Sequence, residues 1–264
     1  MTVLNESNTN AAERERLFRR FQIEKYSRRK SVPCVSMTLD INVTDLQSRR
    51  RACNSEKPDS ESVTLTHVLA KAVSIVLKEF PVLYALFDGK NIISSKHIKL
   101  NLPVSEGSHV EYVIIESPDS KSLNVIASEV KEETKRIREG RGAFYLKLKR
   151  LFILPSCVRY FVINTMFISL RLAYKNYGNF PITNFGSFGV KNGTPILSAP
   201  IVAALCFGVI QKQGRWIGEA KEEISEFLPV TLVFDHRPVD GAYGGCFLNA
   251  LKNLIEKNAA LVYG

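Results

Sequence analysis

Long apolar or amphipathic helical stretches interleaved with well-separated strand segments, and no internal repeat, predict an α/β sandwich of two layers. The chain has 264 residues, of which 45% are hydrophobic and 23% charged, enough to bury a sizeable core without disulfides or a structural metal. Residues 1–12 are polar and read as a flexible leader ahead of a domain spanning 13–264. Asn8 or Asn10 is placed to cap a helix through AAERERLFRRF, where Leu17, Phe18 and Phe21 recur at helical spacing. Residues 32–43 mix β-branched residues with period-two alternation, as a strand does, and 53–62 form a loop. Thr64 or Thr66 opens an apolar helix, THVLAKAVSIVLKEF, that Pro81 stops.

A short strand pair turning at Asp88-Gly89 follows, then strands over 98–104 and 110–116 and an amphipathic helix rich in Lys and Glu over 120–138. Segments 181–187 and 201–211 read as strands, with Gly214 in a turn before a short run at 215–217. Residues 229–234 form a further strand, and the last helix begins just after Pro238 and runs to about Lys257. Between these elements lies YLKLKRLFILPSCVRYFVINTMFISLRLAYKNY (145–177), dense in apolar and aromatic residues. Arg159 and Arg171 interrupt it, so it holds no run of the roughly 18–20 apolar residues that a membrane span needs. It reads as one or two buried helices. The alternative is contact with a membrane surface through Lys147, Lys149, Arg150, Arg159, Arg171 and Lys175, which flank its apolar stretches.

The formal net charge is +10, which suits an anionic partner such as a CoA phosphate or an acidic carrier protein. No zinc-finger spacing and no RNA-binding aromatic motif accompanies the basic residues, so no nucleic-acid partner is expected. Five scattered cysteines without CxxC spacing, and histidines that do not cluster with them, indicate a reduced, cytoplasmic protein without a metal.

The stretch richest in chemistry is PVTLVFDHRPVDGAYGGCFLNALKNLIE (229–256). A strand delivers Asp235, His236 and Arg237 to a turn, Pro238 suits the first turn of a helix, and glycines follow. Taken alone, a histidine after a strand is more often structural than catalytic. The full string resembles the C-terminal DHRxxDG signature of the 2-oxoacid dehydrogenase E2 acyltransferase family, which shares the chloramphenicol acetyltransferase fold. FPITNFGSFGVKNGTPILSAPIVAALCFGVI (180–210) resembles that family's "ISNLGxFG … TPIINPPQxAILxxG". SRRKSVPCVSMTLDINVTDLQSRRR (27–51) and VTLTHVLAKAVSIVLKEFPVLYALFDGKNI (63–92) are similar to its N-terminal patterns. The likeness covers about residues 13–262, broken at 145–177, and corresponds to a free-standing catalytic domain without lipoyl or subunit-binding domains. The chain departs from the pattern at EYVIIESPDS (111–120), at Cys34 and at Leu83-Tyr84.

The resemblance implies a trimeric, chloramphenicol acetyltransferase-like α/β sandwich with active sites shared between subunits. It implies an acyltransferase that moves an acyl group from a CoA or acyl-carrier-protein (phosphopantetheine) thioester to a thiol, hydroxyl or amine acceptor, with no tightly bound cofactor. His236 falls on the family's base, and the family's active-site hydroxyl falls on Thr183, 53 residues earlier. Histidine is the side chain whose ordinary pKa, about 6.5, suits proton removal near neutrality. A hydroxyl can meet the oxyanion that forms on a thioester carbonyl. Asp240 falls on an Asp that orders the turn through an arginine, for which Arg28 or Arg29 is placed; the other reading is a helix N-cap. Asp235, Arg237, Asn184 and Gly241 support the two motifs. A small-molecule O-acyltransferase of the chloramphenicol acetyltransferase type, or a trimeric scaffold without activity, are the alternatives.

Overall fold

A computed structural model describes residues 2–26, 32–58, 61–106, 109–217 and 221–263. In chain order the elements are α1 (Thr2–Tyr26), β1 (Cys34–Asn42), α2 (Thr44–Asn54), α3 (Leu65–Leu77), β2 (Leu86–Phe87), β3 (Ile92–Ile93), β4 (Lys99–Glu106) and β5 (His109–Glu116). These are followed by α4 (Leu123–Arg138), α5 (Ala143–Phe152), α6 (Ser156–Ile168), α7 (Leu170–Tyr177), β6 (Phe180–Asn184), β7 (Ala203–Phe207), β8 (Gln211–Ile217), β9 (Lys221–Asp235), α8 (Gly241–Lys257) and α9 (Ala260–Tyr263).

One mixed sheet runs β1-β9-β7-β6-β4-β5, with β8 pairing the far half of β9. The β6 strand is parallel to both β7 and β4, and the remaining pairings are antiparallel. The β9 strand is the hinge of this arrangement. It pairs with β8 up to Phe227 and with β7 from Val230, and Pro229 lies at the change of partner. The proline nitrogen cannot return a bond there, but its carbonyl still accepts from Gly208 N–H at 2.9 Å. Alternation along β9 then divides the molecule: Leu228, Val230, Leu232 and Phe234 enter the main core under the helices, and Val233 faces the opposite layer.

The helix layer is nucleated by α3, whose residues from His67 to Leu77 are almost all buried. Thr64 caps it in a reciprocal box: its Oγ1 accepts from His67 N–H, and its own N–H donates to His67 Nδ1. The α8 helix lies beside α3 and crosses β1. At Gly244 a Cβ would sit 2.8 Å from the Phe234 ring, so glycine permits that close approach. Gly241, at the start of the same helix, has open space where a Cβ would be.

The segment 145–177 forms helices α5, α6 and α7, three where one or two were expected, and they do not enter the main core. With α1 they make a second cluster against β5, built from Phe18, Phe21, Phe144, Tyr145, Leu148, Leu151, Ile163 and Tyr177. Arg159 is buried there and forks onto Glu24, with nitrogen–oxygen distances of 2.7–3.0 Å. Ile153 and Phe161 stay largely exposed at the tip. Among the described residues no helix is long and apolar enough to cross a membrane.

Two local expectations are corrected. Residues 2–12, read as a leader, form the first turns of α1, because no proline or glycine interrupts the chain before Tyr26. Gly214, read as a turn, lies inside β8 opposite Ile224.

Candidate active site

The β9 strand ends at Asp235, and the chain turns through His236, Arg237 and Pro238 into α8. Each residue of the turn is held. His236 N–H donates to Pro33 O at 2.9 Å, which ties the turn to the start of β1. Asp235 is buried, and its carboxylate accepts from Arg237 Nε at 2.9 Å and Nη2 at 2.6 Å. The same guanidinium lies over the Phe87 ring, 5.0 Å from its centroid. Asp235 raises the pKa of Arg237 by hydrogen bonding. The adjacent Cys34 thiol is also pushed up, first by burial and then by the Asp235 charge.

His236 itself is exposed, and its Nδ1 is 3.0 Å from Val239 O. A carbonyl oxygen only accepts, so Nδ1 carries the proton in this contact. The neutral ring then keeps its lone pair on Nε2. That is the tautomer a general base requires.

Asp240 takes the cap role: Oδ1 accepts from Tyr243 N–H at 2.8 Å at the N-terminus of α8. Arg28 and Arg29 lie outside the described residues, so the ordering arginine expected for Asp240 has no described counterpart among them.

Thr183 stands in β6 beside Cys206 of β7, half-buried. Asn184 fixes the turn that follows, accepting from Ser187 N–H at 3.3 Å and donating to Thr66 Oγ1 at 3.1 Å. Gly186 lets this turn lie against β7, since a Cβ there would be 2.4 Å from Gly208 O.

Thr183 and His236 do not meet within one chain. Cys206, the neighbour of Thr183, pairs in turn with Thr231 on β9. His236 is two strands across and five residues further along, a separation on the order of 20 Å.

Thr183 instead opens onto a cavity of about 500 Å³ on the sheet face away from α3 and α8. Its wall includes Asn101, Val110 and Tyr112 from β4 and β5, Ala173 and Tyr177 from α7, and the loop 195–201. Sequence reasoning did not single out these residues for a site. They converge from four separated stretches, and only the loop 195–201 lies within a quoted motif.

The family model for 2-oxoacid dehydrogenases acyltransferase (catalytic domain) matches residues 9–144 and 169–263. The acetyltransferase component of the acetoin cleaving system of Bacillus subtilis is 28% identical over 228 residues, 86% of this chain and 50% of its own. This chain therefore spans half the length of that relative. A dihydrolipoamide acetyltransferase of Azotobacter vinelandii superposes with TM-score 0.69 at 26% identity, covering 88% of this chain and 84% of that one. Its structure was investigated for the role of a serine, a histidine and an asparagine in the catalytic mechanism. A chloramphenicol acetyltransferase shares the fold at TM-score 0.54 and 15% identity, covering 93% of this chain and 95% of that one.

Proposed function

Because this chain belongs to the 2-oxoacid dehydrogenases acyltransferase (catalytic domain) family, we propose that it is an acyltransferase. Its acyl donor is a CoA or acyl-carrier-protein thioester, and its acceptor a thiol, hydroxyl or amine, with His236 as base. The observation that carries this reading is the hold on His236: Nδ1–H against Val239 O leaves Nε2 as the basic nitrogen at an exposed turn. Nε2 removes the proton from the acceptor as it attacks the thioester carbonyl. The carbonyl oxygen gains the negative charge and is met by the Thr183 hydroxyl. Collapse of the tetrahedral intermediate expels the thiolate, which takes the proton back from His236. The acyl carbon keeps its new bond to the acceptor and loses its bond to sulfur, and His236 ends in the form in which it began.

The distance between Thr183 and His236 within one chain supports a homotrimer in which one subunit supplies His236 and its neighbour Thr183. The acetyltransferase names of the relatives make acetyl-CoA the first donor and dihydrolipoamide the first acceptor to try.

The test is release of the CoA thiol from acetyl-CoA in the presence of dihydrolipoamide, simple alcohols or amines, followed by mass spectrometry of the acceptor. Wild-type protein acylates at least one acceptor class. His236→Ala lowers the turnover roughly 10²–10⁴-fold, as loss of a general base does. Equal rates for the two proteins would remove His236 from the mechanism.

A further inference from the structure

The cavity beside Thr183 is far larger than a two-carbon acyl group needs. At about 500 Å³ it falls within the roughly 300–1,000 Å³ range of pockets that enclose drug-sized ligands. Its lining is mainly apolar, from Pro103, Val110, Tyr112, Ala173, Ile201 and Ala204.

The far wall is built rather than incidental. Tyr112 of β5 and Tyr177 of α7 stand edge to face with centroids 6.0 Å apart. Phe144 at the start of α5 wedges behind both, at 5.4 Å from Tyr112 and 5.6 Å from Tyr177. A three-ring brace of this kind resists collapse, because each ring is held on two sides.

A hydrogen bond ties the same wall to β4. Asn101 is 4% exposed, and its Nδ2 donates to Tyr177 O at 2.9 Å. That bond fixes the orientation of the amide, since the Tyr177 carbonyl only accepts. Asn101 Oδ1 is buried and has no hydrogen-bond partner among the described residues.

Resting on the acyltransferase reading, we propose that this cavity is the acyl-chain pocket of the site. It takes an apolar acyl group longer than acetyl, and Ala173 on α7 sets the length that fits. The thioester carbonyl lies at Thr183, and the chain runs beneath Tyr112 and Tyr177. Ala173 is the small residue on the helix that roofs this path, so a larger side chain there shortens it.

The experiment is calorimetric titration of the wild-type protein with acetyl-CoA, butyryl-CoA and hexanoyl-CoA, beside their kcat/KM with the acceptor found above. Hexanoyl-CoA binds roughly 10-fold or more tightly than acetyl-CoA, in keeping with the selectivity of apolar pockets for added methylenes. Ala173→Phe, and separately Val110→Phe at the half-buried opposite wall, reduce the hexanoyl-to-acetyl ratio by a similar factor. The wild-type ladder decides the matter even where a variant fails to fold. Equal binding of all three thioesters, as when a neighbouring subunit fills the cavity in the assembly, overturns the inference. A binding ladder that rises without acyl transfer upholds the pocket and sinks the acyltransferase reading alone. Transfer from all three thioesters without a ladder does the reverse.

Discussion

His236 and Asp240 sit four residues apart in one turn, yet the hydrogen bonds give them different work. Val239 O fixes the tautomer of His236, and Asp240 satisfies an orphan N–H of α8. Asp240→Ala therefore costs about 1 kcal/mol of stability, the usual value of a helix cap, and Asp240→Asn, which keeps a capping oxygen, costs little. Chemical denaturation of the three proteins separates these outcomes. At Thr183 the expectation is kinetic. Thr183→Ala lowers kcat more than it raises KM, because a bond to the developing oxyanion strengthens only in the transition state. The loss corresponds to roughly 2.7–4 kcal/mol if Thr183 acts like other single oxyanion donors. Thr183→Ser keeps the hydroxyl and retains much of the rate. An alanine variant that changed KM alone would make Thr183 a binding residue instead. At this scale the sequence was informative, since DHRPVDG and PITNFG are contiguous strings that are read without knowing the distant strands they pair with. Asn101 and Tyr177 carried no such sign, because their partnership spans 76 positions and forms only when β4 and α7 meet.

At the scale of single elements, α3 responds to pH, and two neighbouring glycines of α8 respond to substitution in opposite ways. Burial holds the His67 pKa down at about 4, with the Lys131 charge adding to the shift. The unfolded chain takes up this proton near pH 6.5 and the folded chain resists it, so acidification favours the unfolded state. The stability supplied by neutral His67 is complete above pH 6.5 and is lost as the pH falls from 6.5 to about 4, by on the order of 3 kcal/mol. His67→Gln keeps an acceptor for the Thr64 N–H but does not titrate, so its melting temperature falls less over that interval. Parallel acid slopes for both proteins would refute the assignment. In α8, Gly244→Ala drives a methyl to 2.8 Å from the Phe234 ring, and overpacking of about 1–3 kcal/mol outweighs the better helix propensity. Gly245→Ala meets only Met37 Cε at 3.6 Å and gains up to about 1 kcal/mol. Thermal melts of the two variants should move in opposite directions. Strong local patterns such as α3 were legible in the sequence. The β8–β9 ribbon was misread at Gly214, because pairing with Ile224 rather than local propensity makes that residue a strand.

For the whole molecule, the decisive quantity is how many subunits build one site. Sheet register sets Thr183 and His236 on the order of 20 Å apart in one chain, too far for a single acyl carbonyl to touch both. If each site takes His236 from one subunit and Thr183 from the next, two inactive variants can repair one another. A trimer mixed from His236→Ala and Thr183→Ala subunits, in either proportion, contains one interface where an intact His236 faces an intact Thr183. Random equimolar mixing makes about three-quarters of the trimers mixed, and each has one of three sites intact, so activity returns to about a quarter of wild type. Co-expression of the variants with distinguishable tags, tandem purification and the CoA-release assay measure this directly. Purification on both tags enriches the mixed trimers to about one-third of wild-type activity. Light scattering of the same samples should give three times the mass of the 29.7 kDa chain. Mixed assemblies of trimer mass without recovered activity would place both residues in the same subunit's site or remove one of them from the chemistry. A monomer of full activity would end the shared-site mechanism altogether.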